Sequence, residues 1–174
     1  FVMIKDIRLN LSMTDMKKWC DEYFRTEPSD IYYSKRKLIK RSSSSKNGAK
    51  QSTMLYAFPK VFNQLETYLQ KELPRYTFIT SWINSNGYDS FNKPHWHSRI
   101  KNDDRISGIY YVSVPDKNMG NLYFETGEEY EPIENRLILF PSHLVHGVRK
   151  NQSQKKRVSI AFNYEIRNKS GITI

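Results

Sequence analysis

The spacing of apolar residues changes once along this chain, at Pro74, and that change limits the layers its fold can contain. Before Pro74 the apolar positions follow a helical period. Met16, Trp19, Cys20, Tyr23 and Phe24 share one face of a helix that opens at Ser12-Met-Thr-Asp15, a hydroxyl with an acid three residues on, and stops by Pro28. Val61, Phe62, Leu65, Tyr68, Leu69 and Leu73 form the stripe of a second helix. It starts at Pro59, a residue favoured at the first helical position, and ends before Pro74. Beyond Pro74 the period is two. Residues 76–83, 107–114, 121–125, 136–140 and 158–166 read as strands rich in Ile, Val, Tyr and Phe, with turns at Asn86-Gly87, Pro115-Asp116 and Met119-Gly120. Two helices followed by many short strands predict an α+β fold, a β-barrel or jelly roll buttressed by N-terminal helices.

A length of 174 residues suits one domain with a proper core. No apolar run approaches the roughly 20 residues of a membrane span, and no membrane partner is expected. The stretch from Phe1 to Lys5 is too short in its apolar part for a signal peptide. Cys20 is the only cysteine, which excludes an intrachain disulfide and makes a reducing, cytoplasmic setting the expectation.

The net charge of +10 is concentrated in two segments. Residues 29–50 hold seven Lys/Arg against Asp30 alone, and residues 149–169 hold seven against Glu165 alone. Such segments are either solvated loops or contacts for an acidic partner, such as nucleic acid, a ribosome or an acidic protein face. Residues 34–53, with Lys35-Arg36-Lys37, Lys40-Arg41 and four serines from Ser42, are expected to be a polar loop or long hairpin.

The four histidines all lie in the strand-rich half: His95, His97, His143 and His146. In an extended segment, residues i and i+2 point to one side, roughly 7 Å apart at Cα, so the imidazoles of His95 and His97 can converge on one ion. A third ligand from a distant strand would complete a facial set with open positions. His146 is the natural candidate, since it follows the apolar run Leu137-Ile-Leu-Phe140 and the turn at Pro141-Ser142. A lone His-x-His is common, however, and histidines also end strands by bonding backbone carbonyls; His143 is read in that structural way. What raises the other three is the next strand. Alternation puts Arg157 and Ser159 on one face, where a guanidinium can grip a carboxylate through two parallel bonds and a hydroxyl can add a third.

These elements, in this order, resemble the 2-oxoglutarate/Fe(II) dioxygenases, specifically their prolyl-4-hydroxylase-like branch. The residues that carry the resemblance run from Ser81-Trp-Ile-Asn84 through Pro94-His-Trp-His97, Arg105-Ile-Ser-Gly-Ile-Tyr-Tyr-Val112 and Gly120-Asn-Leu-Tyr-Phe124. They continue through Pro132, Arg136-Leu-Ile-Leu-Phe-Pro-Ser142, His146-Gly-Val148 and Arg157-Val-Ser-Ile-Ala-Phe-Asn163. About half the chain is covered, 80–166, and the likeness is to small bacterial and phage members. It implies a double-stranded β-helix, a cupin-like jelly roll, and one dioxygenase domain over 1–174. Residues 1–75 would be helical support with the basic loop 34–53, and 76–168 the β-helix core.

The resemblance also implies cofactors: Fe(II), the cosubstrate 2-oxoglutarate, and O2. Carried over, His95 and His146 are iron ligands, and Arg157 with Ser159 holds the far carboxylate of 2-oxoglutarate. Tyr110 or Tyr111, which face opposite ways, would add to that pocket, with Tyr110 favoured, and Asn84 is a further pocket candidate. The family places a carboxylate where this chain has His97. Three arrangements follow: a three-histidine site, the one expected here; an acid supplied by Asp103 or Asp104; or no ligand from position 97. The implied reaction is hydroxylation, with a peptidyl-prolyl side chain as the first expectation for the substrate. A nucleic-acid or nucleotide oxygenase and a non-catalytic cupin-like metal-binding module are the alternatives.

Overall fold

The computed structural model describes residues 4–26, 45–46, 49–52, 54–97 and 104–167. Two antiparallel sheets face each other, and two helices cover the outer face of the larger one. In the first half lie β1 (Lys5–Arg8), α1 (Thr14–Thr26), β2 (Ser45–Lys46), β3 (Lys50–Gln51) and α2 (Asn63–Glu72). A single 3₁₀ turn, Lys60–Phe62, leads into α2. Pro59 precedes that turn in an extended conformation rather than starting the α-helix, so the helix begins four residues later than its apolar stripe predicts.

The second half is strands: β4 (Tyr76–Asn86), β5 (Phe91–His95), β6 (Ile106–Ser113), β7 (Leu122–Phe124), β8 (Glu129–Tyr130), β9 (Arg136–Pro141), β10 (His146–Val148) and β11 (Arg157–Ile166). The six-stranded sheet has the order β1-β9-β6-β11-β4-β3, and the five-stranded sheet β2-β5-β10-β7-β8. The expected jelly roll is therefore present. β5 and β10 are strands that alternation did not identify. Pro94 weakens the pattern of β5, and β10 is only three residues long.

The loop or long hairpin read for 34–53 takes a different form where it is described. β2 and β3 do not pair with each other. β2 joins the five-stranded sheet at β5, and β3 joins the six-stranded sheet at β4. The segment thus ties the two sheets together along one side. The rest of that basic segment, 34–44 with 47–48 and 53, lies outside the described residues.

Alternation along the large sheet splits the core in two. Ile83, Tyr110, Val112, Leu137, Leu139, Val158, Ile160 and Phe162 pack outward against Met16 and Cys20 of α1 and Leu65 and Leu69 of α2. Gly108 lies under the Phe162 ring, and a side chain there would collide with it. Tyr111, Leu122, Phe124, Ile138 and Phe140 form a smaller apolar layer between the sheets. Cys20 is buried in the helix-facing core, where desolvation pushes its thiol up to about 12. Among the described residues no helix is long and apolar enough to cross a membrane.

Candidate metal and oxyacid site

The cavity opens between the sheets and has a volume of about 200 Å³. Its histidine wall comes from the small sheet. His95 and His146 are direct cross-strand partners in the register of β5 and β10, so their side chains stand side by side on one face. Their ring centroids are 4.3 Å apart. His97 lies just past β5, anchored by its backbone N–H donating to the Ser142 carbonyl at 2.9 Å. Its ring rests against Trp82 of β4, with centroids 5.4 Å apart. Phe140 and Phe124 flank His146 from the apolar layer.

The ligating atoms of His95, His97 and His146 all lie within 4.8 Å of one another. His97 Nε2 and His146 Nε2 are 3.2 Å apart. Two imidazoles at right angles on one ion, each about 2.1 Å from it, would be separated by about 3 Å. The second ring nitrogens orient two of the three. His95 Nδ1–H donates to the Lys93 carbonyl at 2.8 Å, and His146 Nδ1–H donates to the Leu144 carbonyl at 2.9 Å. That tautomer leaves each Nε2 lone pair aimed into the cavity. Desolvation keeps all three rings neutral at neutral pH, pushing His97 down to about 3 and His146 well below the ordinary histidine value. Neutral imidazole is the form that binds a metal.

The opposite wall comes from β11, β4 and β6. Register pairs Arg157 with Asn86 and Ser159 with both Asn84 and Tyr111. All five line the cavity. Arg157 is buried. Its Nη1 donates to the Met119 and Gly120 carbonyls at 3.0 and 2.7 Å, while its Nε is buried without a partner among the described residues. Gly120 makes this contact possible: its φ is +95°, and a side chain there would run into the Arg149 carbonyl. Burial pushes the Arg157 pKa down, and the nearby Tyr111 phenol partly opposes that. Among the described residues no Asp or Glu side chain lines the cavity.

Several sequence expectations change at this wall. Tyr110 points the other way, into the helix-facing core, and donates its hydroxyl to Asn135 Oδ1. Tyr111 is the tyrosine in the cavity, its ring centroid 6.0 Å from the Arg157 Cζ. The parity of β6 relative to β11 decides this, and parity requires a register that no local pattern supplies. Asn86 and Trp82 are cavity residues that sequence reasoning missed, although alternation from Asn84 would have reached both. Asp104 is exposed before β6, and its charge is felt at Tyr76, at the far end of β4 from Asn84 and Asn86. It does not reach the histidines, and Asp103 lies outside the described residues. His143 is half-buried and outside the cavity lining.

The double-stranded β-helix thus sets three convergent imidazoles across a cavity from a buried arginine. Residues 125–163, which include His146, Arg157 and Ser159, match the family of 2OG-Fe(II) oxygenases. No curated protein sequence matches the chain. Among solved structures, a prolyl-4-hydroxylase of Pseudomonas putida aligns over 95% of this chain and 93% of its own, with 15% identity and a TM-score of 0.63. A prolyl hydroxylase of Trichoplax adhaerens, in complex with a hypoxia-inducible-factor oxygen degradation domain peptide, aligns over 94% and 83%, with 14% identity and a TM-score of 0.63. HygX of Streptomyces hygroscopicus, with nickel and 2-oxoglutarate bound, aligns over 94% and 82%, with 12% identity and a TM-score of 0.61. These solved structures share the fold of this chain, and the match to the 2OG-Fe(II) oxygenase family covers residues 125–163.

Proposed function

We propose that this protein is a 2-oxoglutarate-dependent hydroxylase whose Fe(II) is held by His95, His97 and His146. One observation carries the reading: Arg157, buried and without a carboxylate partner among the described residues, shares a small cavity with three neutral imidazoles that converge on one point. An uncompensated buried cation is costly. A dicarboxylate that chelates a metal at one end and reaches Arg157 with the other removes that cost. Ser159 and the Tyr111 hydroxyl would flank the far carboxylate, with Asn84 and Asn86 on the neighbouring strand. Iron would supply the oxygen chemistry: 2-oxoglutarate, O2 and a substrate C–H give succinate, CO2 and a hydroxylated product.

The protein's own part is to bind and to exclude water. Trp82, Phe124 and Phe140 pack around the histidines, which strengthens polar contacts inside the cavity. Met54 and Trp96 line the cavity yet are nearly half exposed, so an apolar lip meets incoming substrate. For substrate we favour a peptidyl side chain, prolyl first, because the Trichoplax relative of the same fold holds a peptide and an apolar, aromatic lip suits a proline ring. The test is anaerobic titration of Fe(II) and 2-oxoglutarate into apoprotein, followed by succinate assays with a peptide panel. A weak visible charge-transfer band and peptide-stimulated succinate are expected. No band with the wild-type chain and unchanged metal binding in Arg157→Ala would instead identify a metal-binding module without turnover.

A further inference from the structure

We infer that the cavity takes a third component besides metal and 2-oxoglutarate, and that this component carries a single negative charge where it meets the histidines. The inference rests on the functional reading above and follows from the charges of the lining. The charged or metal-binding groups that face the cavity are His95, His97, His146 and Arg157, with no carboxylate among the described lining residues. Asp104, a nearby acid by sequence, lies toward Tyr76 at the other end of the sheet. Arg157 contributes one positive charge and a divalent metal two. The dianion of 2-oxoglutarate cancels two of the three. One positive charge remains in the cavity, whose other lining groups among the described residues are neutral.

Burial of a net charge is unfavourable unless a counter-charge accompanies it. Protein dipoles do not supply that charge. The Met119 and Gly120 carbonyls already face Arg157, and the Lys93 and Leu144 carbonyls are taken by His95 and His146. A monoanion from outside is therefore favoured beside the three imidazoles. Its source is either a free inorganic anion or a carboxylate carried by the substrate. The site differs in this respect from one with an acid at position 97, which would be neutral once metal and 2-oxoglutarate are bound. His97 is thus a residue that sets which charge the third component must carry.

The test uses the full chain loaded anaerobically with Co(II) and 2-oxoglutarate and titrated with azide, read by the Co(II) visible spectrum. Azide is expected to bind the wild-type complex and to bind His97→Asp or His97→Glu at least about ten-fold more weakly, the effect of one returned charge a few ångströms away. Chloride and acetate then compete with azide. Displacement by chloride assigns the position to a free halide; displacement by acetate and not chloride assigns it to a substrate carboxylate. A wild-type complex that forms normally and ignores azide overturns the inference, as does azide displaced by neither competitor or bound equally by both acidic variants. Failure of the wild-type chain to form any metal–2-oxoglutarate complex would instead remove the functional reading, and the inference with it.

Discussion

Two buried arginines point into the space between the sheets, on either side of Tyr111, and they are satisfied in opposite ways. Arg136, on β9, is closed off. Its Nε and Nη2 donate to both carboxylate oxygens of Asp6 at 2.8 and 2.6 Å, and its Nη1 donates to the Glu131 carbonyl. Arg157, on β11, has two carbonyls and, among the described residues, no acid. A guanidinium with its own carboxylate is a structural joint, here tying the edge strand β1 to β9. One supplied only with neutral acceptors has capacity left for a ligand. Two buried arginines on strands of one sheet thus separate fold from function by the partner each is given.

The largest expected effect breaks this contrast at its binding end. Arg157→Met should weaken 2-oxoglutarate by about 2–5 kcal/mol, measured by calorimetry on the metal-loaded protein, because one end of the dianion loses its charge-assisted bonds. Thermal stability of the apoprotein should stay level or rise, since an unpaired buried cation is removed. A large drop in melting temperature with unchanged 2-oxoglutarate affinity would show that Arg157 is a second structural joint.

Arg136→Met should do the converse. Loss of its charged hydrogen bonds is expected to cost about 1.5–3 kcal/mol in urea denaturation, with 2-oxoglutarate affinity unchanged. Of similar or smaller size is the difference between the adjacent tyrosines. Tyr111→Phe should weaken 2-oxoglutarate several-fold and leave stability nearly intact. Tyr110→Phe should cost about 1 kcal/mol of stability through its bond to Asn135 and leave binding untouched. If Tyr110→Phe is the variant that loses binding, the strand parity described here is wrong.

That pair of tyrosines marks where the sequence stopped being readable. The change of period at Pro74 was enough for helices on a jelly roll, because each element's apolar spacing reflects the face it buries. That His95, His97, His146, Arg157 and Ser159 would meet could be expected from their order along the chain, and the structure brings them to one cavity. Which of two neighbouring tyrosines faces the cavity depends on the cross-strand register of β6 with β11, a long-range property. The contrast between the arginines was hidden for the same reason. Asp6 meets Arg136 only because β1 pairs with β9 across 130 residues, and β1 itself shows almost no alternation. The short strands β2 and β3 escaped notice because their polar residues pair with two different sheets.

The smallest effect sharpens the contrast by pH. The bond from Arg136 holds the Asp6 carboxyl below its ordinary value of 3.8, against a smaller opposing push from burial. A carboxyl with a depressed folded pKa adds stability that is complete above its unfolded value and disappears as pH falls through the folded one. The stability of the wild-type chain should therefore decline from about pH 4 downward by an amount that Asp6→Asn removes. Because the Asp6 side chain is one-third exposed, water screens the pair and the contribution should be modest. Arg157 has no such acid among the described residues, so Arg157→Met should leave that acid limb unchanged. Urea denaturation of the three proteins between pH 3 and pH 7 makes the comparison. If Arg157→Met rather than Asp6→Asn flattens the acid limb, then Arg157 has a carboxylate partner within the chain, and its place as the open end of the cavity is lost.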